Sequence, residues 1–280
     1  YDDVKLTVGD MRVSRNELRR AERSMDESLK RAIQEAIHNV NAFHRNGAPE
    51  NWHSENSHGA EVGERYYPID RIGIYIPGGR VPLVSTVVMT AALAQIAKIP
   101  EIAIATPPLP DGSIDAGLLA AFEILGIREV YRMGGAQAIG AFAYGTESIA
   151  PVSKIFGPGN TYVNEAKRQV FGIVGIDLLA GPSEVMIIAD GAARADFIAA
   201  DLLAQGEHGP GGTLILASTS GLLAAAVKSE LRNQTRQLPD PGNMRTILKD
   251  RGLIVKVKTL DQAAAVANIA APEHLELHVG

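Results

Sequence analysis

The chain has 280 residues, 46% of them hydrophobic and 21% charged, which is the composition of a folded protein of one large or two ordinary domains, not of a disordered one. A net charge of −5 argues against nucleic acid as the main partner, because phosphate binding needs a surplus of Lys and Arg. No apolar run reaches the length of a membrane span and no signal-peptide pattern opens the chain, so it is read as cytoplasmic.

Near the start, Ser14-Arg15-Asn16-Glu17 fits a capping box, with Ser14 as N-cap and Glu17 reaching back. Leu18, Met25, Leu29, Ile33, Ile37, Val40 and Phe43 then recur at helical spacing and predict one long amphipathic helix that ends around residues 46–49. Residues 51–63 carry Trp52, His53 and His58 among Ser, Asn, Gly and Glu, and read as a polar loop with solvated histidines. From Arg71 short apolar strands alternate with helices. Strands are expected at 72–76, 101–105 and 129–131, and helices at 85–98, 114–125 and 135–144. The alternation resumes after Gly181-Pro182-Ser183-Glu184, with strands at 185–189, 213–217 and 253–257 and helices at 194–207, 222–237 and 260–270.

Such alternation implies α/β architecture, with parallel sheets covered by helices on both faces. Two units are expected. Residues 76–184 form an inserted domain, and residues 1–75 plus 185–280 form a discontinuous domain in which the second unit packs back on the N-terminal helix.

Glycines punctuate the turns at Pro77-Gly78-Gly79, Gly134-Gly135-Ala136-Gln137, Gly157-Pro158-Gly159-Asn160 and Gly181-Pro182-Ser183-Glu184. At the carboxyl ends of parallel strands such turns line a ligand crevice, and glycine lets backbone N–H groups approach a phosphate. They read equally as tight turns needing positive φ. The G-x-G-x-x-G fingerprint and the P-loop pattern are absent after every predicted strand, so a standard Rossmann binding mode is not indicated.

Two further stretches carry chemistry. Gln205 and His208 lie three residues apart at the end of the 194–207 helix, before Gly209-Pro210-Gly211-Gly212. They read either as half of a metal site or as a helix-end histidine facing the last carbonyls. Pro272-Glu273-His274-Leu275 places a carboxylate and an imidazole on a turn before an apolar strand. That pair can serve as a base and a water-activating group, or be an ordinary exposed dipeptide. Cysteine is absent, which removes disulfides, thiolate metal sites and a cysteine nucleophile within this chain.

Taken in order, these motifs resemble the histidinol dehydrogenase family from the Ser14 region to the last residue. The specific pieces are Tyr-Ile-Pro-Gly-Gly at 75–79, Gly-Gly-Ala-Gln-Ala-Ile at 134–139, Gly-Pro-Gly-Asn at 157–160, Val-Gly-Ile-Asp-Leu-Leu-Ala-Gly-Pro-Ser-Glu-Val at 174–185, Asp-Leu-Leu-Ala-Gln-Gly-Glu-His at 201–208 and Pro-Glu-His-Leu at 272–275. The resemblance implies a homodimer of incomplete Rossmann-like units, aldehyde-dehydrogenase-like in architecture. It implies NAD- and Zn2+-dependent oxidation of L-histidinol through L-histidinal to L-histidine, the last step of histidine biosynthesis. Matched position by position, Gln205 and His208 are two zinc ligands, and with Ser183 and His274 they bound the substrate. His274 is the general base for the alcohol and Glu273 activates water. Tyr75, Gln137 and Asn160 contact NAD, so the inserted domain is expected to hold the cofactor and the discontinuous one the zinc and catalytic motifs.

Two departures bear on these expectations. The family is longer than this chain, and its remaining zinc ligands, an Asp and a His, lie beyond the Pro-Glu-His turn. The closing His and a substrate-binding Glu come from the partner subunit's C-terminal tail. The chain as given is therefore expected to bind zinc weakly and to turn over poorly. The turn after His208 also lacks the acidic residue found there in many members. Alternative readings are a paralogue oxidising another amino- or sulfo-alcohol with NAD, and a non-catalytic protein that keeps the fold.

Overall fold

The computed structural model of the chain describes residues 4–78, 82–179, 181, 183–208 and 211–280. Gly79, Ala180, Pro182, Gly209 and Pro210, which fall in the motifs quoted above, lie outside the described residues.

A short helix α1 (Val8–Met11) leads into α2 (Arg15–Ser24) and α3 (Glu27–Arg45). The capping box forms at Ser14: its hydroxyl accepts from Glu17 N–H, and the Glu17 carboxylate accepts from Ser14 N–H at 3.2 Å. The single long helix expected from residue spacing is two helices. Met25 takes an extended backbone (ψ 143°), and the Asp26 carboxylate accepts from the N–H groups of Ser28 and Leu29. An Asp that caps a new helix competes with continuation of the old one, and hydrophobic spacing alone does not register that competition. The polar stretch beyond α3 is not a loop either. It is an antiparallel hairpin, β1 (Trp52–Glu55) and β2 (Glu61–Glu64), with all eight residues exposed. With both faces solvated, no apolar alternation marks these strands.

The α/β alternation then follows as β3 (Arg71–Tyr75), α4 (Val84–Val87), a π turn (Val88–Ala92) continuing into α5 (Leu93–Ile96), β4 (Glu101–Thr106), α6 (Ala116–Ile124), β5 (Glu129–Arg132), α7 (Gly135–Tyr144), β6 (Lys154–Phe156), α8 (Thr161–Val170) and β7 (Gly175–Ile176). These strands make a parallel sheet of order β5-β4-β3-β6-β7. Ile72, Ile74 and Ile104 pack on one face with residues of α2 and α6, while Ala103, Ala105 and Ile155 pack on the other with α7. Gly73 is required by that second face: a Cβ there would lie 2.6 Å from the ring of Phe142.

The second unit runs β8 (Val185–Ala189), α9 (Ala195–Gly206), β9 (Leu214–Ser218), α10 (Gly221–Thr235), α11 (Pro241–Arg251), β10 (Gly252–Lys256), α12 (Leu260–Ala270) and β11 (His274–His278). Its sheet is parallel, of order β10-β9-β8-β11. Val185, Ile187 and Ala189 face α9 through Ile198 and Leu202. Met186 and Ile188 face α12 through Ala263 and Ala267. Helix α11, absent from the sequence expectation, starts on the Asp240 cap with Pro241 in its first turn, a position where proline's missing N–H costs nothing.

The division differs from the discontinuous arrangement of 1–75 plus 185–280 around 76–184. The units are Tyr1–Ala180 and Gly181–Gly280. β3 pairs on both sides within the first sheet, α2 packs in the same core as α6, and Arg132 of β5 forms an ion pair with Glu17. The N-terminal helices therefore belong to the first unit.

Candidate active site

In the first unit the strand order reverses at β3. β4 and β5 lie on one side of it and β6 and β7 on the other. In open parallel sheets the ligand crevice opens at such a point, outside the carboxyl ends of the strands. The loops there are the glycine turns. Tyr75 is the last residue of β3, Gln137 lies in the first turn of α7 after Gly134, and Asn160 is the N-cap of α8, its Oδ1 accepting from Val163 N–H at 3.1 Å. All three sequence-predicted cofactor positions thus sit at one edge of one sheet. Gln137 and Asn160 are exposed. Tyr75 is buried, and its hydroxyl accepts from Gly135 N–H at 3.2 Å, tying the end of β3 to the start of α7. Gly157, with φ +112°, packs against the Tyr75 carbonyl so closely that a Cβ would lie 2.0 Å from it.

The opposite edge of this sheet is sealed. Arg71, the first residue of β3, donates to Glu101 at 2.8 Å and, through both terminal nitrogens, to Glu129 at 2.9 and 2.5 Å. Burial acts to raise the Glu129 carboxyl, but hydrogen bonds from Arg71 and Tyr131 outweigh it and hold the group below the usual carboxylate range. Burial and the Glu129 contact push Tyr131 up to about 12.

The second unit is organised the other way round. Ser183 and Glu184 lead directly into β8, so they lie at the amino edge of its sheet. His274 opens β11 in register with Val185, and its N–H donates to the Glu184 carbonyl at 2.9 Å. α9 runs antiparallel to the strands, as a crossover between parallel neighbours must, and delivers its last turn to the same edge. Gly206 there would clash with Met244 and approach Leu214, the first residue of β9, if it carried a Cβ. Ser183 joins them, its carbonyl packed against Gly212. Ser183, Gln205, His208, Glu273 and His274 therefore gather at one edge.

Within this cluster Glu273, His274 and His208 are exposed, and Gln205 and Ser183 are half-buried. The His208 N–H donates to the Gln205 carbonyl at 3.1 Å, closing the end of the helix. The amide nitrogen of Gln205 is buried and has no hydrogen-bond partner among the described residues, an arrangement that costs free energy unless a ligand completes it. An amide oxygen and an imidazole suit a borderline divalent cation, so these two residues fit one half of a zinc coordination shell.

The same surface continues beyond them. In register with Val185, Ile187 and Ala189, the residues His274, Glu276 and His278 of β11 share the face that α9 covers. The donor atoms of Asp201, Glu276 and His278 lie within 4.8 Å of one another, with His278 Nε2 at 3.3 Å from Glu276 and 3.9 Å from Asp201. The spacing of two between His274, Glu276 and His278 is the sequence signal for this polar stripe. Its meeting with Asp201 is visible only in the fold. At the carboxyl edge, Asp190 ties β8 to β11: its N–H donates to the His278 carbonyl, and its carboxylate accepts from Ala192 and Gly280 N–H, which hold it below its ordinary range.

Comparison with known proteins bears on these two clusters together. The chain is 45% identical over 280 residues to the histidinol dehydrogenase of Symbiobacterium thermophilum, covering all of this chain and 64% of that protein. It is 46% identical over 279 residues to histidinol dehydrogenase 2 of a Nostoc species, again covering 64% of it. The crystal structure of histidinol dehydrogenase from Elizabethkingia anophelis superposes with a TM-score of 0.93 at 40% identity, over 99% of this chain and 64% of that one. A propionaldehyde dehydrogenase from Clostridium phytofermentans, 13% identical with a TM-score of 0.53 over 95% of this chain and 81% of that one, shares the fold alone. The chain thus spans about 64% of the length of the histidinol dehydrogenases it matches. No helix among the described residues is long and apolar enough to cross a membrane. The sequence model described as histidinol dehydrogenase matches residues 1–279, and on a match that runs through both clusters the chain belongs to that family.

Proposed function

We propose that this chain forms the greater part of an NAD- and zinc-dependent dehydrogenase that oxidises L-histidinol through L-histidinal to L-histidine, the last step of histidine biosynthesis. We place the enzyme in the cytoplasm as a homodimer, with the partner's C-terminal tail completing each site. The observation that carries the reading is the gathering of Ser183, Gln205, His208, Glu273 and His274 at the amino edge of the second sheet, in a chain whose first sheet opens a glycine-lined crevice at its strand reversal.

Each residue then has a role that its surroundings permit. Bound zinc would supply an electrophilic anchor for the substrate's imidazole and amine, and Gln205 and His208 are the residues of this chain that would hold it. Ser183 would hydrogen-bond the substrate. His274, exposed at the start of β11, would take the alcohol proton as hydride leaves the carbon for the nicotinamide. Oxidising the aldehyde onward needs either a thiohemiacetal or a hydrate. With no cysteine in the chain, the hydrate route is the one its residues serve: Glu273 would take a proton from water as it adds to the aldehyde, and a second hydride would then leave for a second NAD. In the first unit, Gln137 and Asn160 would contact the dinucleotide, and Tyr75 would do so from its buried position beneath them.

The test is the yield of NADH per L-histidinol, measured on a chain extended to the length of its relatives, with and without a chelator. Two NADH per substrate, lost on chelation and restored by zinc, is the expected result. One NADH would mean that oxidation stops at the aldehyde and that the role given to Glu273 is wrong. No NADH from a folded protein that binds NAD would point to a different alcohol.

A further inference from the structure

Lys167 is the one charged residue that is buried among the described residues. Its ammonium donates to Asp177 Oδ1 at 2.6 Å and to the Gly157 carbonyl at 2.5 Å, while the other Asp177 oxygen accepts from Gly157 N–H at 2.8 Å. An ion pair spanning α8 and the residue just after β7 therefore grips both sides of one residue, Gly157. That residue opens the loop that ends at Asn160. It is also the residue whose positive φ and contact with the Tyr75 carbonyl leave no space for a side chain.

A buried ion pair is a poor device for stability, because desolvating two charges offsets most of their attraction and a packed apolar pair of similar size does as well or better. What apolar side chains cannot provide is an acceptor for the N–H and a donor for the carbonyl of a single residue. The pair thus has a geometric consequence that its stability contribution does not account for. We propose that Lys167 and Asp177 are positioning residues for the dinucleotide. By fixing Gly157 they set the height and direction of the 157–160 loop at the crevice between β3 and β6, without touching the ligand themselves. This inference rests on the assignment of that crevice to NAD. A loop held in its binding shape before the ligand arrives avoids the cost of ordering on binding.

The experiment compares the 280-residue chain with the double variant Lys167→Met/Asp177→Leu, which replaces the ion pair by apolar side chains of similar length, and with Asn160→Ala. Thermal unfolding, NAD affinity by calorimetry and amide hydrogen exchange at Gly157 are read for each. The double variant should stay folded at the assay temperature, with a lowered unfolding midpoint, yet bind NAD at least tenfold more weakly and exchange its Gly157 amide faster. In the chain extended to the length of its relatives, the KM for NAD should rise tenfold or more while kcat at saturating NAD stays within threefold, a split that general destabilisation would not produce. Should the double variant fail to fold, Asp177→Asn is read in its place for NAD affinity and Gly157 amide exchange, with the same direction of change expected in both. Parent-like NAD affinity in the ion-pair variant, alongside weakened binding by Asn160→Ala, would overturn the clamp alone. A folded parent that binds no NAD, or equal affinity in all three proteins, would overturn the clamp and the NAD assignment together.

Discussion

The two sheets of this chain are built alike but present their candidate binding groups at opposite edges. Both are parallel with a strand reversal, at β3 in the first and β8 in the second. In the first, the amino edge is sealed by Arg71, Glu101 and Glu129, and the carboxyl edge carries glycine turns whose backbone can approach an anion. In the second, the carboxyl edge is tied by Asp190, and the amino edge collects carboxylate, imidazole and amide side chains. The difference separates two kinds of recognition. Backbone at a strand reversal suits a large charged cofactor, whereas converging side chains at a helix end suit a metal and proton transfer.

If this division holds, variants of the second unit should strike turnover and metal while sparing NAD affinity, and variants of the first should do the reverse. The largest effect belongs to His274→Asn in a chain extended to the length of its relatives, where kcat should fall by about 10²–10⁴, the usual worth of a positioned base, with NAD affinity within twofold of the parent. Glu273→Gln should slow the second oxidation more than the first, so that aldehyde accumulates and is trapped by a carbonyl reagent. Equal slowing of both steps would remove the water-activating role.

Next comes metal content. Replacing Gln205 and His208 together by Ala should weaken zinc binding by at least the tenfold to hundredfold seen for lesser changes around metal ligands. The 280-residue chain should itself bind zinc more weakly than an extended one. One tightly bound zinc per 280-residue chain, measured by atomic absorption after dialysis, would contradict that expectation.

Smaller effects test the sealed side of the comparison. Gly73→Ala should destabilise the first unit by about 1–3 kcal/mol, the usual cost of forcing an atom into a packed core, because the new methyl meets Phe142. Zinc binding should survive at a temperature where the variant is still folded. Glu129→Gln should cost about 1–2 kcal/mol by leaving the mostly buried Arg71 guanidinium with fewer charged partners. The folded-state pKa of Glu129 lies below its ordinary value, so its contribution is present above the ordinary carboxylate range and is lost as pH falls through the lowered value. The stability gap between parent and Glu129→Gln should accordingly be flat from pH 6 to 8 and close below about pH 4. A gap that widens on acidification would reverse the sign of the argument.

Much of this was legible along the chain. Short continuous apolar runs report strands buried on both faces, and the 3.6 period reports burial on one face of a helix, so strands such as β4 and β8 and helices such as α7 and α9 follow from residue pattern. The capping box at Ser14 is likewise a matter of neighbours in sequence. The break at Met25 and the hairpin β1-β2 were not legible by spacing. The first depends on one carboxylate preferring a new helix start, and the second has no buried face to leave a pattern. The short motifs around Tyr75, Gln137, Asn160, Gln205 and Glu273, four to eight residues each, were enough to show the family resemblance through their order and spacing.

Sequence by itself thus determined most of the element types, the parallel sheets, the family and the residues proposed to carry the chemistry. The tertiary structure decided which edge each group occupies, that the N-terminal helices belong with the first sheet, and that Lys167, Asp177 and Gly157 meet. The reason is that chain-local signals record only whether a residue faces a core. Strand order and the direction of crossovers determine which turns share an edge, and two charged residues ten positions apart join through a glycine only when the sheet has brought all three together.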